Sequence, residues 1–369
     1  MKTRVPSSIP LKERLRRLFA FKQTTRAWHM PVVAGLCVGI PLLFGLETGN
    51  IGAGKLASVG ALVILYLQSS NLVNRMVVLM VCGFGFIASY ALAALFSQWL
   101  WISPLLLGLY VFAVHYALFR LNLNKPPGNF FFTMIACMAI AVPQNPGHIA
   151  ENVGYVAFGV ITACIIGLVY SLITFKKEQS TANKAVFYPN KYVNITESVI
   201  FGIVTAISLL TAKWFGLPNP YWIPISCMAV MQGISTSHVF TRAVQRILGT
   251  VLGLGLAWCV LGLNLSVWSI CICILLLQVI VEFLVVRNYA LAVVFISMLT
   301  IFLAEPNISL MHHPDRLISA RLLDTLIGSS FGAVGGWLLY HERLHFFTKR
   351  QMKKSELLLR KFKHEPTRN

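Results

Sequence analysis

The sequence predicts an all-α integral membrane protein of about twelve transmembrane helices, arranged as two parallel six-helix repeats with both termini cytoplasmic. Three observations predict it. Of 369 residues, 57% are hydrophobic and 12% charged, with a mean hydropathy of +0.72, whereas a soluble domain carries roughly 25% charge. Apolar runs close to the length of a bilayer crossing recur along the chain. Basic residues gather in alternate loops between those runs.

Taken in order, residues 1–26 set Lys12, Arg14, Arg16, Arg17, Lys22 and Arg26 among Leu11, Leu15, Leu18 and Phe19. That is a basic amphipathic segment suited to the cytoplasmic leaflet. A signal peptide also starts basic and turns apolar, but no cleavage motif follows the first run, so the first span is expected to be retained. The first repeat, residues 27–175, holds apolar runs at about 28–46, 52–69, 76–97, 101–120, 130–145 and 152–174. A basic linker, 176–192, leads to the second repeat, 193–340. Its runs lie at about 196–215, 220–233, 243–263, 266–285, 288–304 and 318–339, and a basic tail, 341–369, follows.

The net charge of +19, from 31 Lys and Arg against 12 Asp and Glu, is concentrated at 2–26, 176–191 and 341–363. No basic domain stands apart from the apolar runs, so this charge fits cytoplasmic loops facing anionic lipid and excludes nucleic acid as the expected partner. With the amino terminus inside, the inner loops carry Arg75, Arg120, Lys125, Lys176, Lys177, Arg242 and Arg287, and the outer loops carry Glu47, Glu151 and Glu305. Lys55, Lys213, Arg316 and Arg321 run against the rule.

The halves echo each other. Arg75 precedes Arg242 by 167 positions, and Gly159, Ala163 and Gly167 precede Gly328, Gly332 and Gly336 by 169. An even number of spans per half makes the repeat parallel, about an axis along the membrane normal. The eight cysteines, Cys37, Cys82, Cys137, Cys164, Cys227, Cys259, Cys271 and Cys273, all lie in apolar runs without a CxxC pair. They read as small buried hydrophobes.

The stretch Tyr221–Gly255 carries the densest candidate chemistry. Arg242, Arg246, Gly249 and Gly253 share one helix face. The glycine end admits a neighbouring helix. Arg242 alone fits an anchor at the inner surface. Arg246 lies about 6 Å deeper and faces protein or water rather than lipid, so the pair, with Arg75, is a candidate inner mouth for an anion. Trp222, between Pro220 and Pro224, opens a short span: either an outer aromatic-belt residue or part of an interrupted helix at a binding site. Gln232, Ser235 and Thr236 at its far end are suited to hydrogen-bond a carboxylate.

Arg321 and Asp324 sit at i, i+3 above the stripe Gly328, Gly332 and Gly336. They read first as a salt bridge that fixes helix packing and second as a proton relay. Glu282, the other deep carboxylate, is expected to pair with Arg287. Lys55 occupies the position equivalent to Trp222 and either snorkels to the outer interface or attracts an anion there.

Other motifs carry less. GNIGAGK, Gly49–Lys55, resembles a phosphate-binding loop, but Leu56 stands where magnesium needs Ser or Thr, and the stretch falls at the edge of a span. His312, His313 and Asp315 form a weak metal signal in an outer loop. There is no GxSxG or HExxH set, so no enzyme, cofactor or resident metal is expected.

Tyr221–Gly255, with its YW and TRAVQRILGTVLG, resembles the fusaric acid resistance family, which includes aromatic acid exporters. Its R-x-x-G-T-x-x-G pattern falls here on Arg246, Gly249, Thr250 and Gly253, and ARLLDTLIGSSFG, Ala320–Gly332, resembles the family's closing motif. The first half departs from the pattern, since Gly83 and Gly85 follow Arg75 without that spacing. The resemblance implies an exporter of small organic anions in a bacterial inner membrane, driven by the proton gradient. It extends to the plant aluminium-activated malate transporters, dimers of six-span subunits, and so implies an internal pseudo-dimer here. Larger bacterial members carry cytoplasmic domains. The linker and tail of this chain are too short for such domains.

The expected function is therefore a secondary transporter of aromatic or otherwise amphipathic carboxylates, with Arg75, Arg242, Arg246, Trp222, Gln232 and Lys55 along the path. Asp324, with Arg321, or Glu282 would couple protons. Gly249, Gly253, Gly328, Gly332 and Gly336 would pack the helices. The alternatives are a passive anion channel, which needs no coupling carboxylate, and a membrane-embedded envelope biosynthesis enzyme centred on the two histidines. The expected partners are the substrate anion and membrane lipids.

Overall fold

Each of the twelve expected runs contains a helix. The computed structural model describes residues 21–24, 26–67, 71–121, 123, 127–174, 191–263, 265–304 and 314–341. The basic segment 1–20, most of the linker, the loop with His312 and His313, and the tail beyond residue 341 lie outside the described residues.

The helices are α1 (Met30–Glu47), α2 (Ile51–Ala61, continued as a 3-10 turn Leu62–Tyr66), α3 (Leu72–Leu95), α4 (Ser103–Arg120), α5 (Phe130–Ile140) and α6 (Ile149–Ile173) in the first half. The second half has α7 (Lys191–Trp214), α8 (Trp222–Met231), α9 (Thr236–Leu261), α10 (Val267–Leu284), α11 (Tyr289–Ala304) and α12 (Pro314–Leu339). Their starts follow ordinary capping chemistry. Asn50, Asn71, Ser235 and Ser266 each accept a backbone N–H of the first turn, and proline occupies the first turn of α1 and α4.

Among the described residues, eight helical segments are long and apolar enough to cross a membrane, and α2, α5, α8 and α11 are shorter. The chain is a multi-pass helical membrane protein. The sequence misplaced some helix ends. The run at 130–145 holds a helix that stops at Ile140, and α9 begins at Thr236, seven residues before the expected start at 243. Ser235 caps it there, so Arg242 lies within α9 rather than at its opening.

Helix pairing recurs six helices later. In the first half α2 packs on α1 and α6, α3 on α5 and α6, and α1 on α6; in the second, α8 packs on α7 and α12, α9 on α11 and α12, and α7 on α12. Three further pairings cross between halves: α4 with α7 and α1 with α10, which are themselves equivalent, and α5 with α8. The two equivalent seams are made close by glycine. On the α4–α7 seam, Gly108 and Gly202 face each other's carbonyls. On the α1–α10 seam, Gly35 and Gly39 face Val279 and Leu275. The α4–α7 seam also holds His115, stacked on Phe201 with ring centroids 4.5 Å apart and hydrogen-bonded to Ser198 at 2.9 Å. Lys213 caps its far end by donating to the Leu100 carbonyl and Ser103 Oγ.

Contacts at the helix ends fall into two layers. One joins the beginnings of α1, α3 and α5 to the ends of α6, α8, α10 and α12, through Arg26–Glu282, His29–Tyr170, Arg75–Thr174, Asn129–Gln232 and Gly233–Tyr340. The other joins the opposite ends, through Asn50–Tyr155, Ser97–Gln144 and Ser103–Lys213.

Candidate functional site

Helix α8 is where most of the predicted site residues meet. All ten of its residues are buried, so it has no lipid-facing stripe. At about 1.5 Å per residue it is roughly 15 Å long, half the thickness of a hydrocarbon core. Glycines let it sit close to α12. A Cβ at Gly328 would lie 2.5 Å from the Ile223 carbonyl oxygen, and one at Gly332 would lie 2.6 Å from that of Cys227. Gly336 meets Val239 of α9, while Gly249 and Gly253 bring α9 against the Ala290 and Val294 carbonyls of α11.

Three guanidiniums lie along this helix. At its start, Arg321 of α12 stacks over the Trp222 ring, 3.2 Å from the centroid, and donates to Thr300 Oγ1 of α11 at 2.6 Å. One turn on, Arg246 Nη2 donates to Ser226 Oγ at 3.2 Å. A further turn on, Arg242 Nε donates to the Ala229 carbonyl at 3.2 Å, with its guanidinium 4.0 Å from the centre of the Tyr289 ring. The attachment points at 222, 226 and 229 are spaced by four and three residues, so the cations form a column with steps of about 6 and 4.5 Å. At the end of α8, Gln232 Nε2 donates to Asn129 Oδ1 at 2.8 Å, which ties α8 to the first half.

This column is buried and under-satisfied. Arg246 is 7% exposed, Arg321 5% and Asp324 1%. Trp222 Nε1, Arg246 Nε and Arg321 Nη1 make no hydrogen bond within the described protein, nor does either carboxylate oxygen of Asp324. The Tyr289 hydroxyl lies close enough to interact with both Arg242 and Arg246. Buried polar groups left in this way cost free energy and concentrate where a ligand, proton or moving partner completes them. The unmet donors need an anion or other acceptor, and Asp324 needs a proton or a donor.

Several expectations change. Arg321 and Asp324 do not close an i, i+3 salt bridge, because the Arg321 guanidinium is drawn onto Trp222 and Thr300 across the helix interface. Trp222 is 4% exposed, so it lies in the bundle and not in an interfacial belt. Lys55 is 7% exposed and cannot snorkel, since its helix is enclosed by α1 and α6 and its charge lies near Cys271 of α10. Glu282 pairs with Arg26 at 2.9 Å and not with Arg287, because the end of α10 lies beside the start of α1. Arg287 instead covers Phe283 and donates to that residue's carbonyl. Ser235 is spent as the cap of α9. Arg75 reaches Thr174, which caps the end of α6, at 3.3 Å, within the first half. Cys259 is exposed on the outside of α9, whereas Cys37, Cys82, Cys137, Cys227 and Cys271 are buried as expected.

Sequence reasoning missed Ser226, Tyr289, Thr300, Asn129 and Arg26. Ser226 and Thr300 had a usable signal, as isolated hydroxyls inside apolar runs. Tyr289 and Arg26 had none, because their partners are remote in the chain.

Helix α2, which matches α8 in the pairing pattern, has a different surrounding. Pro41, Phe44, Thr48, Asn50, Tyr155 and Phe158 line a groove of about 420 Å³ between α1, α2 and α6. Ala53 and Gly54 stand there where α8 is entered by Pro220 and Tyr221.

Residues 205–335 match the family model described as fusaric acid resistance protein-like. The match runs from within α7 to within α12 and takes in the whole guanidinium column. A stretch of 153 residues is 39% identical to the uncharacterized membrane protein YvaC of Bacillus subtilis (strain 168), covering 41% of this chain and 23% of that protein. The chain thus aligns with less than a quarter of that relative's length. No solved structure matches.

Proposed function

We propose that the chain is a secondary transporter that exports small organic anions across a bacterial inner membrane, with α8 as the wall of the path. The observation that carries this reading is the column of Arg321, Arg246 and Arg242 along a short, fully buried helix, with Asp324 as the nearby carboxylate and hydrogen-bonding capacity unspent at Arg246 and Asp324. Guanidiniums buried in a membrane bundle face a cavity or partner and mark ion paths. A short helix inside the bundle is the usual mark of a transporter site. The match of residues 205–335 to a family named for resistance to an organic acid supports the same reading.

In this proposal all twelve helices cross or enter the membrane as two parallel six-helix units, 27–175 and 193–340, and both termini are cytoplasmic. The recurrence of helix pairings at an offset of six supports the duplication. The alternation of helix ends between two layers supports the up-and-down order. Asp324 is the proposed coupling carboxylate. Glu282 is not, because Arg26 already neutralises it.

The test is efflux from cells preloaded with a panel of labelled organic acids, with and without a protonophore. Export that collapses with the gradient is expected. Arg246→Gln should slow it roughly 10- to 100-fold, the worth of a charged hydrogen bond, while the protein still reaches the membrane. Export that persists and follows the substrate's own gradient would replace the coupled exporter with a channel. Absence of export for every acid would overturn the transport reading.

A further inference from the structure

The residues ahead of α1 are bound to the same end of the bundle as the innermost step of the column. Lys22 N–H donates to the Arg287 carbonyl at 2.9 Å, in the turn between α10 and α11. Arg26 Nη1 meets Glu282 Oε2 at 2.9 Å near the end of α10, and Glu282 is 4% exposed. His29 Nδ1 shares a hydrogen bond with Tyr170 of α6 at 2.8 Å. Two residues beyond Arg287 stands Tyr289, whose ring lies against Arg242. His238, at the start of α9, lies within electrostatic reach of both Lys22 and Arg242.

We infer that Lys22 and the residues Arg26–His29 form a latch on the inner end of the site, locked by the half-buried Arg26–Glu282 ion pair, and that this latch positions Tyr289 against Arg242. This rests on the transport reading for its purpose but not for its geometry. The physical chain is short. The latch holds the α10–α11 turn through Lys22 and Arg287, the turn carries Tyr289, and Tyr289 covers the face of the Arg242 guanidinium. While the latch is closed, the face of Arg242 is taken by an aromatic ring. When it lifts, the turn is released and that face opens toward the inner side. An ion pair suits the lock, because removing Arg26 leaves the 4%-exposed Glu282 carboxylate without its counter-charge. Arg26 and Glu282 are accordingly positioning residues that act through Tyr289.

Hydrogen–deuterium exchange on the full-length protein in lipid nanodiscs tests this. In Arg26→Gln, exchange of peptides covering Lys22–His29 should accelerate roughly 100-fold, as local opening follows the lost pair. Peptides covering Val285–Ala290 should accelerate with them, while the α8–α12 contact stays protected. The charge swap, Arg26→Glu with Glu282→Arg, should restore protection in both regions and guards against a variant that merely misfolds. Faster exchange at Lys22–His29 without change at Val285–Ala290 would reduce the segment to an anchor and overturn the latch. Unchanged exchange in both regions would overturn the ion pair as the lock. Coupled acceleration in a protein that exports no acid would leave the latch standing and remove the transport reading alone.

Discussion

Asp324 is the residue whose chemistry separates two kinds of transport. Its carboxylate is 1% exposed, accepts no hydrogen bond, and has Arg321 one turn away engaged elsewhere. An ionised carboxylate in that position is costly, so in the proposed transporter it would exchange a proton or meet a donor as the anion passes. Asp324→Asn keeps the shape and removes the exchangeable charge. In a coupled exporter this variant should lose uphill export and protonophore sensitivity while still passing anion down its gradient. A variant that still drives export against a gradient would remove Asp324 from coupling. The sequence named Asp324, Arg321, Trp222, Arg242 and Arg246, since charge inside an apolar run is conspicuous. It could not say how they pair. The i, i+3 rule offered Arg321 to Asp324, but the Arg321 guanidinium is engaged by an indole face and a threonine hydroxyl on neighbouring helices, and those partners are invisible to local spacing.

Among the elements, α8 shows why position was easier to read than depth. Its apolar run was evident, and so was its shortness. Its ten residues are all buried, so no amphipathic period existed to show which side faced protein or where the helix should stop. The glycines of α12 were legible as a stripe, and the structure adds what they face. Because a Cβ on Gly328 would lie 2.5 Å from the Ile223 carbonyl oxygen, backbone rather than a flexible side chain must move. Gly328→Val should lower the thermal midpoint of the detergent-solubilised protein, reflecting a cost of about 1–3 kcal/mol or more. Gly255→Val, on the open side of α9 where nothing lies within 4 Å, should stay within about 0.5 kcal/mol. Equal effects at the two sites would mean that α8 is free to shift and that its close seat on α12 does not hold the column.

For the whole molecule, the informative feature is that the halves exchange helices. The sequence offered two six-helix repeats joined by a basic linker, which invites a picture of two domains side by side. The structure instead lays α4 along α7 and α1 along α10, with glycines on both seams and the Arg26–Glu282 ion pair beside the second. Such pairings cannot be read from hydropathy, because lipid and a neighbouring helix are equally apolar surroundings. They have a consequence for folding. The first half expressed alone would expose the glycine-bearing faces of α1 and α4, the second that of α7, and the first half would leave Arg26 without Glu282. Residues 1–182 and 183–369 produced as separate chains should therefore each be degraded when alone, yet assemble and co-purify when expressed together, with the cut placed in the linker. A stable first half that purifies alone, with α1 and α4 protected from exchange, would show that each repeat is a self-sufficient domain and that the crossed seams are secondary to it.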